Sequence, residues 1–286
     1  MNWPDLLVSD LARREAVLFL GAGVSMNSEG NGGKRPPSWI GFLETCIAKC
    51  TGDVSHIEAL IGTGDLLSAC ELLKAKLADD WPVLLTEEFA DPQFKPSALH
   101  KALFDLDIGI VLTQNFDKIY DVYAQNETYG STKIKTYYDD DTALVLRRNY
   151  RAVVKVHGTI DEPSKMVFTR EEYATLRNSF RAFNLLLDAL FLTHTFLFVG
   201  CSLQDPDLRL FLEQHAFTHP SAPPHFMTMP EGGVHPEIEA SIRRNLNIRL
   251  LTYSPADSHR ELTEGVVELV DLVELERERI AANQNW

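Results

Sequence analysis

Val17-Leu18-Phe19-Leu20-Gly21-Ala22-Gly23-Val24-Ser25 is the stretch on which the fold turns. Four consecutive apolar residues rich in β-formers read as a strand buried on both faces, the pattern of a parallel sheet. The strand runs straight into Gly-Ala-Gly and then a hydroxyl residue. Glycines at this point let the backbone turn sharply and let a ligand approach where a Cβ would otherwise stand. Backbone N–H groups at such a turn suit a phosphate. Gly21, Ala22, Gly23 and Ser25 are therefore candidate nucleotide-binding residues. The third glycine of the dinucleotide fingerprint is absent, because Asn27, Ser28 and Glu29 follow in place of a tight helix start. An ordinary nicotinamide dehydrogenase is disfavoured on that ground.

The pattern recurs downstream. Ile108-Gly109-Ile110-Val111-Leu112 ends in Thr113-Gln114-Asn115-Phe116-Asp117, and a helix over 118–125 follows. Ala152–Val156 ends in His157-Gly158-Thr159. Thr195–Val199 ends in Gly200-Cys201-Ser202, with Asp205-Pro206-Asp207 opening the next helix. Two more strands, His225–Met229 and Ile248–Tyr253, flank a helix. Strands that alternate with helices and end in glycine or a polar group predict an α/β fold, a Rossmann-like doubly wound parallel sheet. Such sheets bind ligands at the carboxyl ends of their strands, where Gln114, Asn115, Asp117 and His157 fall. A histidine there is a candidate general base, because its ordinary pKa lies near neutrality.

Between these strands the chain reads as helices. Residues 5–15 form a short helix before the first strand. Glu29–Pro37 is a Gly/Pro-rich loop long enough to close over a ligand, and Ser38 caps a helix that begins at Trp39. Residues 55–92 repeat apolar positions at helical spacing with no strand signal. The expected organisation is one domain over 1–286, with a Rossmann-like core at 1–50 and 97–286 and a helical insertion at about 51–96. Ser97 caps a helix to Phe104 on which His100 is a packed residue. Thr169 caps a helix over 170–176, residues 179–192 form another, and an amphipathic helix over 258–281 closes the chain.

Composition narrows the function classes. The formal net charge of −14 argues against a broad nucleic-acid or anionic-membrane surface. The start, Met1-Asn2-Trp3-Pro4-Asp5, has no signal-peptide character, and no apolar run approaches the ~20 residues of a membrane span. A cytoplasmic protein is expected. Its four cysteines, Cys46, Cys50, Cys70 and Cys201, include no Cys-x-x-Cys pair. A zinc site built from Cys46, Cys50, His56 and Cys70 is disfavoured by its spacing, and reduced thiols packed in a core are expected.

Together the strand ends GAGVS, TQNFD, HG and GCS resemble the sirtuin family, in that family's order, over roughly residues 16–212. The resemblance implies that Gly21, Ala22, Gly23 and Ser25 form an NAD phosphate loop. It implies that Asn115 lies by the nicotinamide ribose and that Asp117 holds the nicotinamide carboxamide, with Gln114 completing the motif. His157 matches the catalytic histidine, and Gly200 and Ser202 match a turn that contacts ribose and phosphate. Two departures stand out. Deacylating sirtuins carry two Cys-x-x-Cys pairs after the HG motif, whereas residues 159–173 here contain no cysteine. Their phosphate loop continues into a proline, an acid and a Phe-Arg pair, whereas this chain has Pro37-Ser38-Trp39-Ile40.

Both departures look like the divergent bacterial sirtuin-like domains of anti-phage defence, which cleave NAD outright. The expected activity is that of an NAD glycohydrolase, with NAD as substrate and no metal. It would be the effector of an abortive-infection system. An NAD-dependent protein deacylase with an atypical substrate module is the alternative, and a non-catalytic NAD sensor a third reading. The resemblance also implies a homo-oligomer, and regulation by a separate protein such as a HerA-type ATPase or a short Argonaute, since no sensor domain follows the final helix. Neither nucleic acid nor membrane is an expected direct partner.

Overall fold

A computed structural model describes residues 1–147, 150–203 and 205–283. Helix α1 (Asp5–Ala12) leads into strand β1 (Ala16–Leu20), the one-turn helix α2 (Ala22–Ser25) and helix α3 (Trp39–Lys49). Helices α4 (Ser55–Gly62), α5 (Leu66–Leu77), α6 (Asp80–Phe89) and α7 (Ala98–Asp105) precede β2 (Ile110–Thr113). Then come α8 (Ile119–Glu127), β3 (Lys133–Thr136), β4 (Ala152–Lys155), α9 (Arg170–Ser179), α10 (Arg181–Thr193) and β5 (Thr195–Val199). The chain finishes with α11 (Pro206–Thr218), β6 (His225–Pro230), α12 (Pro236–Leu246), β7 (Ile248–Tyr253) and α13 (Ala256–Asn283).

The strands make one seven-stranded sheet in the order β3-β4-β2-β1-β5-β6-β7, with every pairing parallel. This is the doubly wound Rossmann-like arrangement. Side chains alternate across the pleat, so each central strand supplies both faces. Val17, Phe19, Val154, Phe196 and Phe198 pack under α9–α12 on one face. Leu18, Leu20, Val153, Leu197 and Val199 pack under α1, α7, α8 and α13 on the other. Strand order reverses between β1 and β5, and a crevice opens at such a reversal. The two glycine turns, Gly21–Gly23 and Gly200–Ser202, both lie there.

A third apolar cluster lies apart from the sheet faces. Helices α3–α6 enclose Phe42, Cys46, Ile57, Cys70, Trp81 and Leu85, and Ile160, Met166 and Phe168 from the segment after β4 pack into the same cluster. Trp81 stands edge-on to both Phe42 and Phe168, at 5.3 Å from each. The thiols of Cys46 and Cys70 are buried, and burial pushes both up to about 12. Ser38 caps α3 by accepting from the Gly41 N–H at 3.1 Å, and Thr169 caps α9 in a capping box with Glu172. Among the described residues no helix is long and apolar enough to cross a membrane.

Three features differ from the sequence reading. A seventh strand, β3, forms the sheet edge. A one-turn helix does begin inside the glycine stretch, at Ala22. The residues Asp257–His259 adopt left-handed backbone at the start of α13, so the regular part of that helix begins at Arg260.

Candidate active site

The carboxyl ends of β1, β2, β4 and β5 converge on one cleft of about 690 Å3, closed on its far side by the helical layer. Ala22, Ser25, Gln114, Asn115, Asp117, His157 and Ser202 all line it. Gly21, Gly23 and Gly200 are not among the lining residues. They stand behind it, back to back. A Cβ on Gly21 would lie 2.4 Å from the Gly200 carbonyl oxygen, and one on Gly200 would lie 2.5 Å from the Val24 nitrogen. Gly200 also has φ +65°, in the left-handed region. The N–H groups of Gly21 and Gly23 donate to the carbonyls of Val199 and Gly200, both at 2.9 Å. These glycines are required because two backbones touch, and the N–H groups of Gly21 and Gly23 are already spent. Those two N–H groups are therefore not free to meet a phosphate.

Asn115, Ser25 and Asp117 form one hydrogen-bonded unit. Asn115 Nδ2 donates to the Gly21 carbonyl and to Ser25 Oγ, each at 2.9 Å. Ser25 Oγ donates to Asp117 Oδ2 at 2.6 Å, and the Ile119 N–H donates to Asp117 Oδ1 at 3.0 Å. The turn holding Asn115 is itself fixed, since Thr113 Oγ1 accepts from the Asn115 N–H and donates to the Leu20 carbonyl. Gln114 Oε1 is buried and has no hydrogen-bond partner among the described residues. A buried acceptor of this kind costs free energy until a donor meets it, so it suits a ligand amide or hydroxyl.

His157 closes the opposite wall. It follows β4, and Gly158 behind it has φ +88°, where a Cβ would lie 2.5 Å from the Lys165 carbonyl. Burial pulls the imidazole below its usual pKa, and the Asp205 carboxylate opposes that pull. His157 Nε2 lies 3.4 Å from Asp205 Oδ2, and Tyr173 donates its hydroxyl proton to the same oxygen at 3.0 Å. Asp205 is only 5% exposed and accepts from the Leu208 N–H at 2.8 Å, capping α11. A neutral imidazole held against a buried carboxylate is equipped to take a proton near neutral pH.

The sequence reading placed Asp205 at a helix start and Tyr173 on a helix without assigning either to the site. The signal for Asp205 was its position three residues after Ser202, at a strand end already singled out. Aromatic walls were also missed. Trp39, Phe42, Phe89, Phe116 and Phe168 line the side of the cleft formed by the helical layer. Phe116 and Phe168 have ring centroids 4.5 Å apart. Two further cavities adjoin. One, of about 1120 Å3, meets the cleft at Ser202 and runs between the ends of β5 and β6 and helices α11 and α12. The other, of about 990 Å3, lies on the far side of His157 and Asp205 among Phe183, Leu187, Phe191 and Phe211.

The loop over 29–37 is tied to the helical layer. Lys34 pairs with Glu88 at 2.8 Å, and the Asn31 N–H donates to the Pro92 carbonyl at 2.6 Å. Pro36 and Pro37 reach the cleft edge. Among the described residues no group of three or more His, Cys, Asp or Glu side chains is arranged to hold a metal ion.

Comparison with known proteins agrees with this architecture. The NAD(+) hydrolase ThsA of Cytobacillus dafuensis is 26% identical over 200 residues, covering 70% of this chain and 37% of that protein. That of Enterococcus faecium is 29% identical over 207 residues, covering 71% and 40%. That of Bacillus cereus (strain MSX-D12) is 25% identical over 214 residues, covering 73% and 42%. The chain thus spans about two-fifths of the length of these curated relatives. A family model for the SIR2-like domain matches residues 109–251, half of the chain, from β2 with its TQNFD turn to β7. By that match, and with a doubly wound parallel sheet whose strand ends meet at one cleft, the chain belongs to the SIR2-like domain family.

Proposed function

We propose that the chain hydrolyses NAD to nicotinamide and ADP-ribose. The observation that carries this reading is that Asn115 and His157, on different strand ends, line one cleft at the reversal of strand order. The names of the relatives, NAD(+) hydrolases all, support the same substrate. In this reading the nicotinamide ring lies among Phe116, Phe168 and Trp39, with its carboxamide near Asp117 and the free Gln114 Oε1. The pyrophosphate passes Ala22 and Ser202, and the adenosine half extends into the cavity that opens at Ser202. Gly21, Gly23, Ser25 and Gly200 shape this seat through their own packing.

The chemistry is dissociative. The bond from ribose C1′ to the nicotinamide nitrogen breaks, its electron pair neutralises the ring cation, and an oxocarbenium-like centre develops. Water adds at C1′ and gives its proton to His157, while Asn115 orients the water or a ribose hydroxyl. Purified protein incubated with NAD is expected to release nicotinamide and ADP-ribose. His157→Ala and Asn115→Ala should each lower turnover by about a hundredfold or more while melting like the wild type. Full turnover in either variant would remove that residue from the reaction.

The cavity behind His157 favours a second reading, an NAD-dependent deacylase whose acylated peptide, the acyl donor, reaches the site from that side. Formation of O-acyl-ADP-ribose from an acylated peptide would establish it, and hydrolysis alone would dismiss it. The role in anti-phage defence, as the effector of an abortive infection, belongs to the first reading, as do self-assembly and control by a separate protein. Light scattering after size exclusion tests the assembly. A single-chain mass at every concentration, with and without NAD, would refute it.

A further inference from the structure

Lys155 is the last residue of β4 and is 0% exposed. It is not a cleft-lining residue. It lies beneath the site, where its ammonium is 2.9 Å from Asp121 Oδ2 on α8 and donates to the main-chain carbonyl of Asp117. Asp121 is buried as well, and burial pushes its carboxyl up while the Lys155 charge opposes the shift. Two charges removed from water carry a desolvation cost that an apolar pair of similar volume would avoid. Here that cost is borne directly under the turn that carries Asn115 and Asp117.

The backbone around Lys155 gives the pair a task. Strands β2 and β4 run in register, with Thr113 opposite Lys155, and the Val156 N–H donates to the Thr113 carbonyl at 2.9 Å. Beyond that rung the two strands part, one into Gln114–Asp117 and the other into His157. The next main-chain bond between them is from the Ile160 N–H to the Phe116 carbonyl. Across the gap, the Lys155 ammonium is the bridge. It reaches from the strand of His157 to the carbonyl of Asp117, and Asp121 holds it there. We propose that the Lys155–Asp121 ion pair is a positioning device that sets the Asn115–Asp117 turn at its working distance from His157. This inference rests on the NAD-cleavage reading for its kinetic consequence but not for its structural one.

Lys155→Met alone leaves Asp121 buried without its cation and is expected to melt early. The double variant Lys155→Met/Asp121→Leu removes both charges and keeps the volume, so it should regain most of the lost thermal stability. A pair that served folding alone would regain activity along with stability. A positioning pair would not: kcat for NAD stays about a hundredfold below wild type with a smaller change in KM. A crystal structure of the double variant should show residues 114–117 displaced by about 1 Å or more. Asp121→Asn, which keeps size and removes only charge, gives a second measurement, with kcat expected to fall about tenfold. Wild-type kcat in either variant, or an undisplaced turn in the double variant, would overturn the proposal. A wild-type chain that neither binds nor cleaves NAD would speak against the function instead, and the displaced or undisplaced turn would still decide the ion pair.

Discussion

At the scale of single residues, the site is a set of side chains that hold one another. Ser25 is the clearest case. A hydroxyl after Gly-Ala-Gly reads as a phosphate ligand, yet its proton goes to Asp117 and its lone pair takes the Asn115 amide. It orients both partners. His157 is held in a comparable way from the other side by Asp205, and the two influences on its charge oppose each other. Burial disfavours the imidazolium, and the Asp205 carboxylate favours it. Activity that needs a neutral imidazole is therefore present above the folded pKa of His157 and lost as pH falls through it, a pKa that lies below the usual histidine value. Removing the negative charge in Asp205→Asn lets burial act unopposed, so the acid limb of kcat/KM should move to lower pH. The plateau should drop about tenfold, because the ring loses its orienting partner. A pH–rate profile of both proteins checks this. An acid limb that stays in place or moves upward would show that Asp205 does not act on the catalytic proton.

At the scale of elements, the sequence and the structure agree where a local signal decided the outcome. β1, β5 and β7 are apolar enough to be read without context, and Ser38 and Thr169 are caps that act within three residues of themselves. The strand ends were legible for the same reason, since a polar group or glycine after an apolar run marks where a strand leaves the sheet. β3 was not. Lys133-Ile134-Lys135-Thr136 has one large apolar residue, because an edge strand needs only one covered face and lysines discourage further pairing there. The reason for the glycines was hidden too. Gly21 and Gly23 belong to a turn 179 and 177 residues before Gly200 in the sequence, and the β1–β5 pairing brings their backbones into contact. Asp205, Tyr173 and Lys155 escaped by the same logic. Each acts through a partner distant in sequence, which no spacing rule reveals.

At the scale of the whole molecule, the cleft is a seam. One wall is the carboxyl edge of the sheet, and the other is the helical layer, which meets it through the Phe42, Phe89, Phe116 and Phe168 rings. A ligand in the seam touches both, so it should quiet both at once. Hydrogen exchange makes this measurable, because amides open locally with free energies that a bound ligand raises. With Asn115→Ala, which slows cleavage, NAD should slow exchange in 20–26 and 113–118 on the sheet side. It should slow exchange equally in 36–43 and 85–90 on the helical side. Protection is expected to be about tenfold at a NAD concentration roughly ten times its Kd. Residues 260–280, on α13, line neither the cleft nor its adjoining cavities and should change least. Protection confined to the sheet edge would mean that the aromatic wall does not receive the nicotinamide. Protection confined to the helical layer would mean that NAD binds away from Asn115 and His157, and the cleavage chemistry would have no substrate before it.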